Sequence, residues 1–113
     1  MAGIPAPPPP SETALKPGTF AGQTVFITGA GTGLGKAIAT QFAQLGAAIV
    51  IASRKPEHLD AGAAAIEPLE AEVLTVACDI REPDQVAAAF DAATERFGLP
   101  DVLINNAAAN FPV

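Results

Sequence analysis

Thr28-Gly29-Ala30-Gly31-Thr32-Gly33-Leu34-Gly35 is the stretch on which the fold of this chain turns. Immediately before it, Val25-Phe26-Ile27 is a short β-rich run. Immediately after it, Leu34, Ile38, Phe42 and Leu45 recur at three- to four-residue spacing, the mark of one face of a helix. A glycine cluster between a strand and a helix has a mechanical meaning. Gly29 lets the chain turn sharply off the strand, glycines inside the loop keep side chains away from a bound pyrophosphate, and Gly35 allows close approach of helix to sheet. The unpaired N–H groups and the dipole at the helix start then favour phosphate. Gly29, Ala30, Gly31, Thr32, Gly33 and Leu34 are therefore expected to hold the phosphates of a dinucleotide.

Working outward, the pattern repeats. Gly46 ends the first helix, and Ala48 to Ala52 is a continuous apolar run, as in a strand covered on both faces. Pro56 suits the first turn of a second helix, with Leu59 and Ile66 on its apolar face. Val73 to Ala77 is a third strand. Pro83 and Asp84 open a third helix, on which Val86, Phe90, Ala93 and Phe97 keep helical spacing. Gly98 and Pro100 stop it, and Val102 to Ile104 reads as a fourth strand. Strand–helix alternation implies right-handed crossovers and a parallel sheet. The fold class is thus α/β, the N-terminal half of a doubly wound Rossmann fold with strand order 3-2-1-4, and its ligand belongs beyond the carboxyl ends of the strands. Residues 1–17 contain six prolines, including the run Pro7 to Pro10. They predict a flexible, extended leader ahead of a partial nucleotide-binding domain over residues 18–113.

Composition narrows the partners. In 113 residues there is room for one core. The net charge of −6 and the absence of any basic stripe argue against nucleic acid, whose phosphates are met by Lys and Arg. One cysteine, Cys78, excludes an internal disulfide and a cysteine-rich metal site, so no metal is expected; within an apolar run it reads as a buried thiol. No apolar stretch approaches the roughly 20 residues that span a bilayer, and no targeting pattern opens the chain. No membrane partner and a cytoplasmic location are the resulting expectations.

The strand tips carry the remaining candidates. Many dinucleotide sites place an acidic residue at the tip of the second strand to accept from a ribose 2′-hydroxyl. This chain has Ser53-Arg54-Lys55 there, with Arg54 standing 19 positions past Gly35. A guanidinium clamps a 2′-phosphate by charge-assisted hydrogen bonds, so NADP(H) is the expected cofactor; the alternative for Arg54 is a solvated turn cation. Asp79 follows the third strand, where a carboxylate can meet an adenine amino group or cap a helix. Asn105 and Asn106 end the fourth strand, where they can bond neighbouring backbone and ribose or simply form a turn. His58, in a helical stretch without partners, reads as an ordinary surface residue.

Taken together, Thr28-Gly29-x-x-x-Gly33-x-Gly35, Asp79-Ile80 and Asn105-Asn106-Ala107 resemble the short-chain dehydrogenase/reductase family over roughly Phe20 to Val113. The family pattern Asn-Asn-Ala-Gly is broken here by Ala108. Ile51-Ala52-Ser53-Arg54-Lys55 and Asn105-Asn106-Ala107-Ala108-Ala109-Asn110-Phe111 are similar to the 2,4-dienoyl-CoA reductase branch, from which only Ala109 departs. Lys16-Pro17-Gly18-Thr19-Phe20 likewise resembles the entry to the first strand in those enzymes.

That resemblance implies NADPH-dependent reduction of a conjugated dienoyl-CoA to an enoyl-CoA, in unsaturated fatty acid breakdown. It implies that Asn110 bonds the thioester oxygen, where such a donor stabilises developing charge. It places Arg54, Arg81 and Phe111 against the acyl-CoA substrate. Arg81 could instead form a surface ion pair with Glu82 or Asp84, and Phe111 could be ordinary core. The family's chemistry also needs a tyrosine with a lysine four residues on. The chain contains no tyrosine, and its lysines are Lys16, Lys36 and Lys55. The expectation is therefore a truncated N-terminal portion, inactive alone, of an enzyme that forms homo-oligomers, commonly tetramers in this family. A carbonyl or 3-ketoacyl reductase and a non-catalytic nucleotide-binding module are the alternatives.

Overall fold

A computed structural model describes residues 16, 18–31 and 33–106. The leader up to Leu15, Pro17, Thr32, and the site candidates Asn110 and Phe111 lie outside the described residues.

The elements follow one another as β1 (Thr24–Thr28), α1 (Gly33–Gln44), β2 (Ala48–Ser53), α2 (Pro56–Ile66), a 3-10 turn (Glu67–Leu69), β3 (Val73–Ala77), α3 (Pro83–Phe97) and β4 (Val102–Asn105). The four strands are parallel and ordered β3-β2-β1-β4, as the alternation required. Register pairs Phe26 with both Val50 and Leu103, and Thr28 with both Ala52 and Asn105. All five residues of β1 are buried and so are the four central ones of β2, which accounts for their uninterrupted apolar sequence.

The helices sit on both faces. On one face Val25, Ile27, Ile49 and Ile51 pack with residues of α1 and α2; on the other Phe26, Val50 and Ala52 pack with Ala89 and Ala93 of α3. Phe26 and Phe90 stack there, with ring centroids 4.4 Å apart.

The packing stripe of α1 differs in part from the expected one. Leu45 is buried and Ile38 and Phe42 pack against the core, but Leu34 does not, and small residues take the centre. Gly35, Ala39 and Ala43 are its buried residues, Ile38 and Phe42 are half-buried, and Leu34 is 69% exposed. Small side chains let the helix axis approach the sheet closely, so the large residues take the flanks of the contact rather than its centre. Phe42 packs against the core and also meets Phe20 edge-on at 5.1 Å, pinning the entry to β1. α2 buries Leu59 and Ile66 as expected, together with Gly62. The 3-10 turn after α2, closed by Glu70 at φ 59°, had no sequence counterpart.

Candidate functional site

The carboxyl ends of the strands gather the candidate residues. Thr28 ends β1, Ser53 ends β2, Asp79 follows β3, and Asn105 ends β4. The glycine loop crosses this rim between β1 and α1. Gly29 leaves the strand with φ 74°, a left-handed turn that glycine adopts without penalty. Ala30 and Gly31 are buried. Gly33 opens α1 at φ 52°, and a side chain placed there would project into open space, as the phosphate side of such a loop requires. No acidic side chain stands in the first turn of α1, which leaves the positive end of its dipole without a carboxylate from the same helix.

Gly35 carries the closest approach. A Cβ there would collide with the carbonyl oxygen of Gly29 and sit 2.6 Å from Asn106 Nδ2. That amide donates to the same Gly29 oxygen at 3.2 Å. Asn106 thus ties the switch-point strand to the loop that would hold the phosphates. Beside it, Thr28 Oγ1 donates to Asn105 Oδ1 at 3.2 Å. Asn106 thus bonds backbone, whereas Asn105 meets a side-chain hydroxyl.

Gly31 has a different neighbour. A Cβ on it would strike the backbone of His58, so its bareness here makes room for the start of α2. His58, expected on the surface, is half-buried by this contact. Gly62 completes the same junction: a Cβ would lie 2.8 Å from Ile51 Cδ1 and 3.3 Å from the Ala30 carbonyl oxygen. A glycine inside an otherwise alanine-rich helix was the available signal for it.

At the tip of β2, Ser53 Oγ accepts the Lys55 backbone N–H at 3.1 Å, folding the turn on which Arg54 is exposed. At the tip of β3, Asp79 Oδ1 accepts from Arg81 Nε at 3.0 Å and from its backbone N–H at 3.0 Å, and Oδ2 accepts from Nη2 at 2.8 Å. Arg81 therefore pairs with Asp79 rather than with Glu82 or Asp84. The Arg81 hydrogen bonds, side chain first, hold the Asp79 carboxyl down to about 2 against the opposing effect of desolvation; the charges of Arg81 and then Arg54 add to the lowering. The pair therefore persists above the ordinary carboxylate range and is lost only as pH falls through about 2. Gln85, which carried no sequence signal, accepts the Asp79 N–H through Oε1 at 2.8 Å. Cys78 is buried as expected, and burial pushes its thiol upward, helped by the Asp79 charge.

A hollow of about 510 Å³ lies at the opposite end of the strands, among Gly18, Gln23, Gly46 and Ala48. Glu70 and Glu72 also line it and would repel a phosphate. The chemistry of the rim points instead to the glycine loop: bare backbone for a pyrophosphate, a cation at the second strand and a carboxylate at the third. These residues fit a dinucleotide. Among the described residues, no helix is long and apolar enough to cross a membrane.

Comparison with known proteins agrees with this geometry. The family model for short chain dehydrogenases matches residues 23–112. An uncharacterised oxidoreductase of Caenorhabditis elegans is 47% identical over 102 residues, covering 88% of this chain and 33% of that protein. A probable 2,4-dienoyl-CoA reductase of the same organism is 46% identical over 99 residues, covering 86% of this chain and 32% of that protein. The solved structure of a citronellol catabolism dehydrogenase from Pseudomonas aeruginosa superposes with a TM-score of 0.78 at 36% identity, over 82% of this chain and 39% of that one. The chain thus spans about a third of the length of these curated relatives.

Proposed function

We propose, since the chain belongs to the short-chain dehydrogenase family, that it is the cofactor-holding portion of an NADPH-dependent 2,4-dienoyl-CoA reductase. The substrate class is supported by similarity to probable 2,4-dienoyl-CoA reductases at 46% and 43% identity. The cofactor choice is carried by one observation: an exposed Arg54 at the tip of β2, where an acidic residue would select a 2′-hydroxyl.

Bound NADPH supplies the hydride. The chain's own residues bind and orient. The N–H groups of the loop from Gly29 to Leu34 hold the pyrophosphate, Arg54 clamps the 2′-phosphate, and Asp79 accepts from the adenine amino group. Asn106 braces the loop by its bond to the Gly29 carbonyl. Asn110 donates to the thioester oxygen, with Arg54, Arg81 and Phe111 against the acyl-CoA. In this reading the tyrosine and lysine of the family's chemistry come from outside these residues, which contain no tyrosine. Homo-oligomeric assembly and fatty acid breakdown as the setting belong to the same proposal.

The test is a titration of the complete protein carrying this chain with NADPH and NADH, followed by assay of NADPH oxidation with a 2,4-dienoyl-CoA and a 3-ketoacyl-CoA. The expected result is NADPH binding at least about tenfold tighter, a preference that Arg54→Ala largely removes, since a charge-assisted bond to a phosphate contributes roughly 1.5–3 kcal/mol. Turnover of the dienoyl substrate is expected. Equal affinity for the two cofactors, or turnover of the ketoacyl substrate alone, would overturn the corresponding half of the proposal.

A further inference from the structure

Arg81 is tied to Asp79 more completely than a passing surface contact requires. A carboxylate offers about four lone-pair sites. Among the described residues, Arg81 occupies two on Oδ1, through its backbone N–H and Nε, and one on Oδ2, through Nη2. One acceptor site remains, on Oδ2. The backbone of Asp79 is held as well: its N–H donates to Gln85 Oε1 at 2.8 Å, and its carbonyl accepts the Glu82 N–H at 3.0 Å. The Arg81 side chain is 68% exposed while that of Asp79 is 18% exposed, so the arginine leans on the aspartate from the solvent side. An ion pair this exposed contributes little to stability. Its consequence is geometric: the carboxylate cannot rotate without breaking a paired fork.

We propose that Arg81 is a positioning residue for base recognition, holding Asp79 so that a single remaining acceptor site on Oδ2 selects a 6-amino purine. This rests on the proposed cofactor reading, in which Asp79 faces the base. Adenine presents an N–H donor at that position, whereas a 6-oxo purine presents an acceptor. Against an acceptor-only carboxylate, the oxo base has no bond to make and two oxygens oppose each other. The guanidinium also neutralises the carboxylate locally, so that it can accept an N–H close to Arg54 and the nucleotide phosphates without repelling them. The fork matters as much as the charge, because a lysine ammonium cannot span both carboxylate oxygens with the backbone N–H also engaged. Nη1, which makes no bond among the described residues, stays available for the acyl-CoA contact proposed above.

The test compares NADP with its hypoxanthine analogue by isothermal titration in the absence of acyl substrate, on the complete protein and on Arg81→Gln, Arg81→Lys and Asp79→Ala. The unmodified protein is expected to favour the adenine nucleotide by about tenfold or more. Both Arg81 variants are expected to lose most of that ratio, Arg81→Lys retaining somewhat more. A general loosening of the loop would weaken both nucleotides equally and leave the ratio intact; that result, or a full ratio in either Arg81 variant while Asp79→Ala loses it, overturns the role of Arg81. If Asp79→Ala also keeps the ratio, or neither nucleotide binds the unmodified protein, the underlying cofactor reading fails and the inference falls with it.

Discussion

The two faces of this sheet are built from the same strands and are not equally covered. On the face of Val25, Ile27, Ile49 and Ile51, α1 and α2 lie side by side, and Val102 and Ile104 of β4 pack against the same cluster. On the opposite face, among the described residues, α3 packs over β2 and β3 and reaches β1 through Phe90 stacked on Phe26. Over β1 and β4 that face carries a groove of about 150 Å³, lined among others by Phe26, Phe90, Leu103 and Asn105, and Leu103 is 58% exposed. Topology explains the inequality. The crossovers from β1 to β2 and from β2 to β3 run in one direction, and their right-handedness puts both helices on one side. The crossover from β3 to β4 runs back past both strands and puts its helix on the other. A helix is about 10 Å across and strands are about 4.8 Å apart, so each helix covers about two strands. Among the described residues, two helices cover one face, and the single helix on the other leaves its β4 side open at Leu103.

This comparison can be broken at three places. The largest effect is expected on the closed face: Ile27→Ala, at a side chain with no exposure, should lower unfolding free energy by about 4 kcal/mol in urea titration. On the half-covered face Phe90→Ala removes a ring that is only half-buried but stacked on Phe26, and a loss of about 2 kcal/mol is expected by the same measurement. Equal losses for the two variants would contradict the asymmetry. The smallest effect sharpens it: Leu103→Asn, at the open end of the groove, should change stability by no more than about 0.5 kcal/mol. A loss above about 1.5 kcal/mol would show that Leu103 is covered in the complete protein by residues beyond those described.

Much of the site was legible because it is a property of backbone. Gly29 turning off the strand and Gly35 allowing close approach follow from the strand–loop–helix order, and the structure gives both their partners. The exposed Arg54 follows from its place after a buried strand. Less legible were contacts between side chains on different elements. The large residues of α1 were expected inward because hydrophobic spacing marks a face without marking how close that face comes. Gly35, Ala39 and Ala43 are buried because the helix sits too near the sheet for anything larger at its centre. Asn106 bracing the Gly29 carbonyl, and Gly31 receiving the backbone of His58, likewise join segments that are remote in sequence.

Alone, then, the sequence determined the alternation of strands and helices, and through crossover handedness the parallel order β3-β2-β1-β4, because period, glycine placement and chirality act locally along the chain. It also determined that a glycine-rich loop would stand at the tip of the first strand. Only the tertiary structure decided which groups meet there. Arg81 had Asp79, Glu82 and Asp84 within reach in sequence, and charge alone does not choose among them. The turn after β3 chose: it brings the Arg81 N–H onto the Asp79 carboxylate, and the side chain follows on the same side, while Glu82 and Asp84 lead into α3. Pairing of charges is a question of direction, and direction is set by the fold.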